Sequence, residues 1–186
     1  KVGDAADFII VGDLKAFNVL STYIDGIQVS NSSHCLFSKV TAEPINQFNC
    51  TPKQASDFEI HTNANRARVI HALDGEIITK ELITTITTEK GSVIADTKQD
   101  VLTITVVNRY ENVIPATALI HGFGLSHGAI ASCVGHDTHN IIAVGCDTDS
   151  IAKAVNLIIE NKGGISAVGN DREMLLPLPF AGIMSG

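Results

Sequence analysis

Basic residues are scarce in this sequence, which has 13 Lys and Arg against 20 Asp and Glu and a formal net charge of −7. Binding a phosphate backbone requires clustered Lys and Arg, so this balance argues against a nucleic-acid partner. Neither half of the chain is a charged tail, and 45% of the residues are hydrophobic, enough to form a well-buried core. We therefore expect a soluble globular protein.

The sequence also lacks a CxxC pair. Its four cysteines are widely spaced, at Cys35, Cys50, Cys133 and Cys146. This spacing favours reduced thiols in a cytosolic protein over a disulfide framework or a zinc knuckle.

No uninterrupted apolar run is long enough to suggest a membrane span. The longest stretch without a charged residue runs from Asn112 to His136, but Pro115, two internal histidines and several glycines interrupt it. No basic, then apolar, then small-residue segment stands at the start, so we expect no secretory signal and a cytoplasmic location. An apolar run begins soon after Lys1 without an initiator Met, which is typical of a sequence entered midway.

The first part of the chain carries strand signals. Ala6–Val11 is an apolar run of strand length, and Asp25-Gly26 lies between two β-rich runs. An Asp-Gly pair in that setting predicts a hairpin, because both turn positions need positive φ. From Asn31 to Thr62 the pattern weakens, with Pro44 and Pro52 limiting regular structure, so we predict a linker or irregular arm there.

The remainder of the sequence predicts an α+β fold: a mostly antiparallel sheet of about six strands with packed helices. The predicted strands are 68–72, 77–87, 101–107, 117–123, 129–134 and 140–144. We expect the first three of them to pair with one another in antiparallel fashion.

One helix is clear after Asp147-Thr148, either of which can cap it. Its apolar residues follow the i, i+3, i+4, i+7, i+8 pattern and are Ile151, Ala154, Val155, Ile158 and Ile159. This stripe must pack on an apolar surface. Gly163-Gly164 is expected to end the helix, since Gly takes the left-handed conformation most easily, and 165–168 to form another strand. The apolar tail from Leu175 to Met184 is expected to dock on the core or to close a site.

The best candidate site is His136-Asp137-Thr138-His139-Asn140. Four of the seven histidines lie between positions 121 and 139, in the part of the chain with the fewest charges. On a strand end, His136 and Thr138 would share one face and Asp137 and His139 the other, whereas a tight turn would bring all of them together. A carboxylate beside an imidazole can fix its tautomer and create a proton shuttle, and Asn140 can offer a donor and an acceptor to a purine edge.

Other interpretations of these residues stay open. By spacing alone, a polar turn that hydrogen-bonds its own backbone is the stronger alternative. His136 and His139 have a spacing that suits two zinc ligands on a helix, but the neighbouring runs are β-type and no third ligand is near in sequence. Gly122–Gly128 is glycine-rich without dinucleotide-binding or P-loop spacing, which favours a bend between strands.

Several segments together resemble the C-terminal domain of bacterial adenine deaminases. They are Gly122–Asn140, Ala154-Val-Asn, Gly163-Gly164 and Leu176-Pro-Leu-Pro-Phe-Ala-Gly-Ile-Met-Ser185. The His136–Asn140 segment matches the family's His-Asp-Ser-His-Asn pattern except at Thr138, which keeps the hydroxyl. At the other end, Val2–Val11 and the following hairpin look like the closing strands of the small β-domain that follows the barrel in amidohydrolases.

The resemblance implies a three-part enzyme with a metal-binding barrel, a β-domain and an α+β C-terminal domain. It divides this chain into residues 1–64, the last β-domain strands plus a linker, and residues 65–186, the C-terminal domain. It also implies hydrolysis of adenine to hypoxanthine and ammonia in purine salvage or catabolism, with hydroxide generated at a divalent metal, manganese or iron. The metal ligands would lie in the barrel. The implied partners are adenine, the missing barrel and a second copy of the chain.

The resemblance makes His136, Asp137 and His139 candidate catalytic residues lining the active site, and Thr138 and Asn140 candidate substrate contacts. No metal ligand is expected in this chain, and we expect the chain alone to be inactive. Two other functions stay open. One is a binding or oligomerisation module without catalysis of its own. The other is a small independent metalloenzyme built on the His cluster, which elemental analysis excludes if it finds no stoichiometric metal.

Overall fold

The computed structural model describes residues 1–32, 34–38 and 43–185. The chain divides into two units, Lys1–Glu43 and Pro44–Gly186. Residues 44–64, which the sequence grouped with the first part as a linker, therefore lie in the second unit. The division into residues 1–64, the last strands of a β-domain plus a linker, and residues 65–186, a separate α+β domain, stays a prediction.

The first unit contains a four-stranded antiparallel sheet whose strands follow one another in chain order. The strands are β1 (Phe8–Val11), β2 (Val19–Ile24), β3 (Ile27–Asn31) and β4 (His34–Cys35). The predicted hairpin is confirmed, because Ile24 pairs with Ile27 across Asp25 and Gly26, whose φ angles are 50° and 75°. Both turn residues are left-handed, which Asp and Gly tolerate better than most residues.

The second unit is built on an eight-stranded sheet. Its elements are a 3-10 helix (Ala55–Phe58), β5 (Arg66–Ala72), β6 (Thr79–Thr85), β7 (Thr87–Glu89), β8 (Ser92–Ile94), β9 (Leu102–Val107), β10 (Ala116–His121), β11 (Ala129–Ser132), β12 (Ile141–Gly145), α1 (Thr148–Glu160), β13 (Gly164–Val168) and β14 (Glu173–Pro177). The strand order of the large sheet is β14-β13-β11-β12-β9-β10-β5-β6, and β7 and β8 form a separate two-stranded sheet.

The α+β class is consistent with these elements, but the details differ from the prediction. The sheet has eight strands instead of about six, because β13 and β14 extend one edge. One α-helix is present among the described residues, not several. Of the first three predicted strands, β5 and β6 pair in antiparallel fashion as predicted. β9 does not join them, because it lies between β12 and β10, and β10 pairs with β5 in parallel. Hydrophobic periodicity marks a strand without naming its neighbour, so it could not give this order.

Helix α1 covers one face of the sheet, and its predicted stripe is confirmed. All five stripe residues are buried, and Ile151, Val155 and Ile158 are fully enclosed. Ser166 of β13 fixes the helix to the sheet, since its hydroxyl donates to the carbonyl of Ala154 at 2.7 Å. No helix in the described part of the chain has the length and apolar character needed to cross a membrane.

The segment before β5 contributes to the core and is not a loose arm. Phe58, at the end of the 3-10 helix, is fully buried in the cluster that contains the α1 stripe. The amide of Asn156 on α1 holds Lys53 at both backbone groups, accepting from its N–H at 2.8 Å and donating to its carbonyl at 2.9 Å. The predicted irregular segment was Asn31 to Thr62. It is wrong for His34–Cys35, which form β4, and residues 33 and 39–42 lie outside the described residues. Residues 44–62 are largely irregular, but they are fixed to the helix.

The end of α1 uses a different residue from the one predicted. Lys162 takes the left-handed conformation with φ 54°, and the N–H of Gly163 donates to Ile158 O at 2.9 Å. This is a Schellman motif. Gly163 and Gly164 serve close packing, because a Cβ on Gly163 would collide with Gly182 and one on Gly164 with the backbone of Leu176. The apolar tail therefore docks on the core, as predicted.

The start of α1 is capped by Asp147. Its carboxylate accepts from the Ser150 N–H at 2.7 Å and from the Ser150 hydroxyl at 2.8 Å. We expect Asp147→Ala to lower the free energy of unfolding by about 1 kcal/mol, since a helix N–H loses its acceptor. Asp149→Ala is the matched control, because it removes the same charge from the same turn. If denaturant titrations give the same loss of unfolding free energy for both variants, the effect comes from the charge and not from the capping hydrogen bond.

Candidate functional site

The candidate segment lies in the loop that joins β11 to β12. The two strands form an antiparallel hairpin in which Ser132 pairs with Ile142. Within the loop the chain makes a turn: the N–H of His139 donates to Gly135 O at 2.9 Å, and His139 has φ 54°. The predicted strand-end alternation of side chains is therefore absent, and a turn positions them.

His136 and Asp137 are brought together at the tip of this turn. Nε2 of His136 lies 3.1 Å from Oδ1 of Asp137, and the two side chains are 96% and 82% exposed. An exposed pair of this kind contributes little to stability, because water screens it. The two groups are free to meet a ligand or another part of the protein.

His139 is less exposed than the His136–Asp137 pair. Its side chain is half-buried, and Nδ1 is enclosed without a hydrogen-bond partner among the described residues. A buried ring nitrogen without a partner is unusual, because leaving it unpaired costs about 1–3 kcal/mol. The turn thus separates His139 from the His136–Asp137 pair.

Thr138 and Asn140 are held by residues of the segment that follows β9. The hydroxyl of Tyr110 donates to Thr138 O at 2.9 Å, and the N–H of Arg109 donates to Asn140 Oδ1 at 3.3 Å. The Asn140 N–H lies 3.4 Å from the Thr138 hydroxyl. These contacts fix the loop and leave the amide NH2 of Asn140 as a donor.

Arg109 was not identified from the sequence, yet it lies buried beneath the loop with 4% exposure. Its guanidinium donates to Ala181 O at 2.7 Å and lies over the rings of Phe48 and Tyr110, at 5.3 and 4.8 Å from their centroids. Arg109 therefore joins the loop to the C-terminal tail.

Cys133 begins the same loop and is fully buried. Burial raises the pKa of its thiol, while the backbone N–H of Gly164 and the Arg109 cation act in the opposite direction. The Gly164 N–H donates to Sγ at 3.1 Å. Because the thiol stays protonated and enclosed, Cys133 is a packing residue and not a nucleophile.

The glycine-rich segment that the sequence singled out lies at the opposite end of β11 and β12 from the candidate loop. The glycine-rich segment is a bend between β10 and β11, as predicted, and Asp100 accepts from the N–H groups of Gly122 and Gly124, both at 2.8 Å. His71 and His121 stack edge to face, 4.6 Å between centroids. In the described ranges, no group of three or more His, Cys, Asp or Glu side chains is arranged to hold a metal ion.

Comparison with known proteins gives a family. The family model for the adenine deaminase C-terminal domain matches residues 76–186. An adenine deaminase of Sulfurovum sp. is 52% identical over 185 residues, which are 100% of this chain and 33% of that protein. Adenine deaminases of Salinibacter ruber and Methanosarcina barkeri are 44% and 42% identical over all of this chain and over 34% and 35% of their own lengths.

The chain thus spans about a third of the curated relatives it matches, as expected of a C-terminal portion. The resemblance seen in the sequence is confirmed, and the match includes the whole loop from Cys133 to Asn140. The chain belongs to the adenine deaminase C-terminal domain family.

Proposed function

We propose that the full-length polypeptide is a metal-dependent adenine deaminase that converts adenine and water to hypoxanthine and ammonia, in cytoplasmic purine salvage or catabolism. The observation that supports this is the extent of the match. Relatives named adenine deaminase, 38% to 52% identical, align with 97% to 100% of this chain. The charge of −7 agrees with a free base as the substrate, and not with a nucleic acid.

In this proposal the His136–Asn140 loop lines the active site. The reaction adds water oxygen to the purine carbon that carries the amino group, and the carbon–nitrogen bond then breaks. One water proton ends on the departing nitrogen and the other on the ring nitrogen. An imidazole 3.1 Å from a carboxylate can hold and pass a proton, so the His136–Asp137 pair is the proton carrier of this scheme.

Asn140 and Thr138 have a supporting role in the same scheme. The Asn140 oxygen accepts from Arg109, so its NH2 group is directed to bond an acceptor such as a purine ring nitrogen. The Thr138 carbonyl is held by Tyr110. Two residues outside the loop therefore orient the two proposed substrate contacts.

The metal of this proposal does not fit the residues described in this chain. The His136–Asn140 loop presents an exposed His136–Asp137 pair, and Nδ1 of His139 is enclosed. Among the described residues, these three side chains are not arranged to hold a metal ion. Manganese or iron, which would activate the attacking water, is thus assigned to a part of the polypeptide outside this chain.

We expect the full-length protein, supplied with manganese or iron, to release ammonia and hypoxanthine from adenine. The 186-residue chain alone should give no ammonia above background, because in its described residues no three His, Cys, Asp or Glu side chains are arranged to hold the metal that would activate water. Ammonia release at equal protein concentration measures both. Metal-dependent turnover by the chain alone would contradict the assignment of the metal to another part of the polypeptide. It would favour a small independent metalloenzyme. A full-length protein inert towards adenine would favour a binding or oligomerisation module.

A further inference from the structure

The large sheet has one face covered by α1 and an opposite face that is partly open. At one end of this open face, Leu102, Ile120 and Val144 are buried in a small cluster. Ala131 of β11, Ala143 of β12 and Ser166 of β13 face α1 and are buried. Successive side chains of a strand point to opposite faces, so their neighbours Ile130, Ile142 and Ile165 point away from the helix. These three isoleucines are 38%, 41% and 42% exposed.

The strand register places apolar residues of the open face in rows. One row crosses six strands through directly paired residues: Leu176, Ile165, Ser132, Ile142, Val106 and Ala116. A second row runs beside it through Ile130, Val144 and Ile104. Val144 is 2% exposed and packs in a buried cluster with Leu102 and Ile120, so the open part of the face ends at this row. At a strand spacing of about 4.8 Å the first row is about 24 Å long.

This composition differs from that of a sheet face that meets water. A solvated antiparallel face alternates apolar and polar residues between its two sides, but Ser132 is the one polar residue in the first row. Charged side chains lie beyond these rows, where Arg68 of β5 is 3.7 Å from Glu81 of β6. An apolar patch of this extent on a soluble protein marks a surface that another body covers.

The open face is continuous with the candidate loop. Val134 lies at the start of the loop and lines a cavity of about 250 Å³ together with Phe123 and Ile142. At the next residue, Gly135, a Cβ would lie 3.6 Å from the Ile142 side chain. The exposed His136–Asp137 pair therefore follows directly in the chain after residues that contact the apolar face, so a body that covers this face can also reach the pair.

We infer that the open face packs against the part of the full-length polypeptide that is outside this chain, and that this contact places the His136–Asp137 pair in the active site. The relatives are about three times as long as this chain, since it covers 33% to 35% of them, so a large covering body exists within one polypeptide. A covalently attached body has an effective concentration of about 1 mM or more, which favours it over a second copy. The second part of the inference rests on the proposed function.

Photo-crosslinking in the full-length protein tests this inference. We place p-benzoylphenylalanine at position 142 on the open face, or at position 77 as the control. Ile77 lies between β5 and β6 and is fully exposed. After irradiation, we expect position 142 to form at least about tenfold more intrachain crosslink to residues before Lys1 than position 77. Peptide mapping would identify the partner residues.

Three results would overturn the inference: crosslinks to a second copy, crosslinks to residues 1–43, or no more crosslink at 142 than at 77. If the bulky side chain disturbs the fold, thiol labelling replaces it. In a Cys35→Ser background, Ile142→Cys should react with a soluble maleimide about a hundredfold more slowly than Ile77→Cys, because labelling must wait for the contact to open. Equal rates would also overturn the inference.

Both readouts are structural, so they are distinguishable from the proposed function. If loop variants keep normal activity while position 142 still forms the crosslink, the active-site role of the loop is wrong and the covered face stands. If the enzyme is active and loop variants lose activity, but Ile142→Cys is labelled as fast as Ile77→Cys, the proposed function stands and the covered face is wrong.

Discussion

Asp137→Ala and His139→Ala in the full-length protein should each lower kcat/KM for adenine by roughly ten- to ten-thousand-fold, the range for losing a proton-transfer or positioning group. The two residues act differently. Asp137 is paired with His136 at the exposed tip, so its removal leaves the imidazole without its carboxylate. His139 is half-buried with its Nδ1 enclosed, so its removal leaves space beneath the turn and changes the positions of its neighbours in the loop. Steady-state kinetics with adenine, per folded molecule, would measure both effects.

Asp137→Ala is the sharper of the two variants, because an 82% exposed side chain contributes little to stability and its loss should barely change the Tm. His127→Ala is the matched control: an exposed histidine at the other end of β11, outside the loop. It should keep normal kcat/KM. If both loop variants fold and retain normal kcat/KM while their Tm falls, the loop is a structural turn and the candidate site is withdrawn.

The parts of the fold that the sequence predicted are those with local causes. Asp25-Gly26 specifies its own hairpin, and Asp147 with the α1 stripe specifies where the helix begins and which face is buried. β14 was not predicted, because the sequence analysis treated the residues from Leu175 onward only as an apolar tail. This strand ends at Pro177, and an edge strand tolerates proline at its end. The parallel pairing of β5 with β10 joins residues 50 positions apart, such as His71 and His121, and no local pattern encodes it.

The candidate site was likewise predicted only as far as its features have local causes. Residue types alone drew attention to the five residues from His136 to Asn140, and the structure places them in one turn. The supports of that turn could not be predicted, because Tyr110 meets Thr138 across 28 positions and Arg109 meets Asn140 across 31. Arginine is seldom fully buried, so nothing in the sequence distinguished Arg109 from the other cations. The orientation of His139 depends on its positive φ, which the residue type does not specify.

The largest expected effect on stability is that of Ile158→Asp. Ile158 is fully buried in the α1 stripe, in the cluster that also contains Phe58 and Ile141. An aspartate there would be a charge without a partner in an apolar core and would also leave a cavity, so we expect a loss above about 4 kcal/mol. That loss is a large fraction of the stability of an ordinary domain, about 5–15 kcal/mol. The purified chain should therefore aggregate or lose its cooperative unfolding transition.

Lys153→Asp is the control for this change, because it introduces the same side chain at an exposed position of the same helix. Its cost should stay below about 1 kcal/mol, the range for helix propensity and surface charge. Thermal melting followed by circular dichroism compares the two variants with the parent chain. The stripe is the element that joins the helix to β11, β12 and β13, so losing it should also release the loop between β11 and β12. An Ile158→Asp chain that melts at the parent temperature would show that α1 does not pack on the sheet. The description of one sheet face as covered by α1 would then also be wrong.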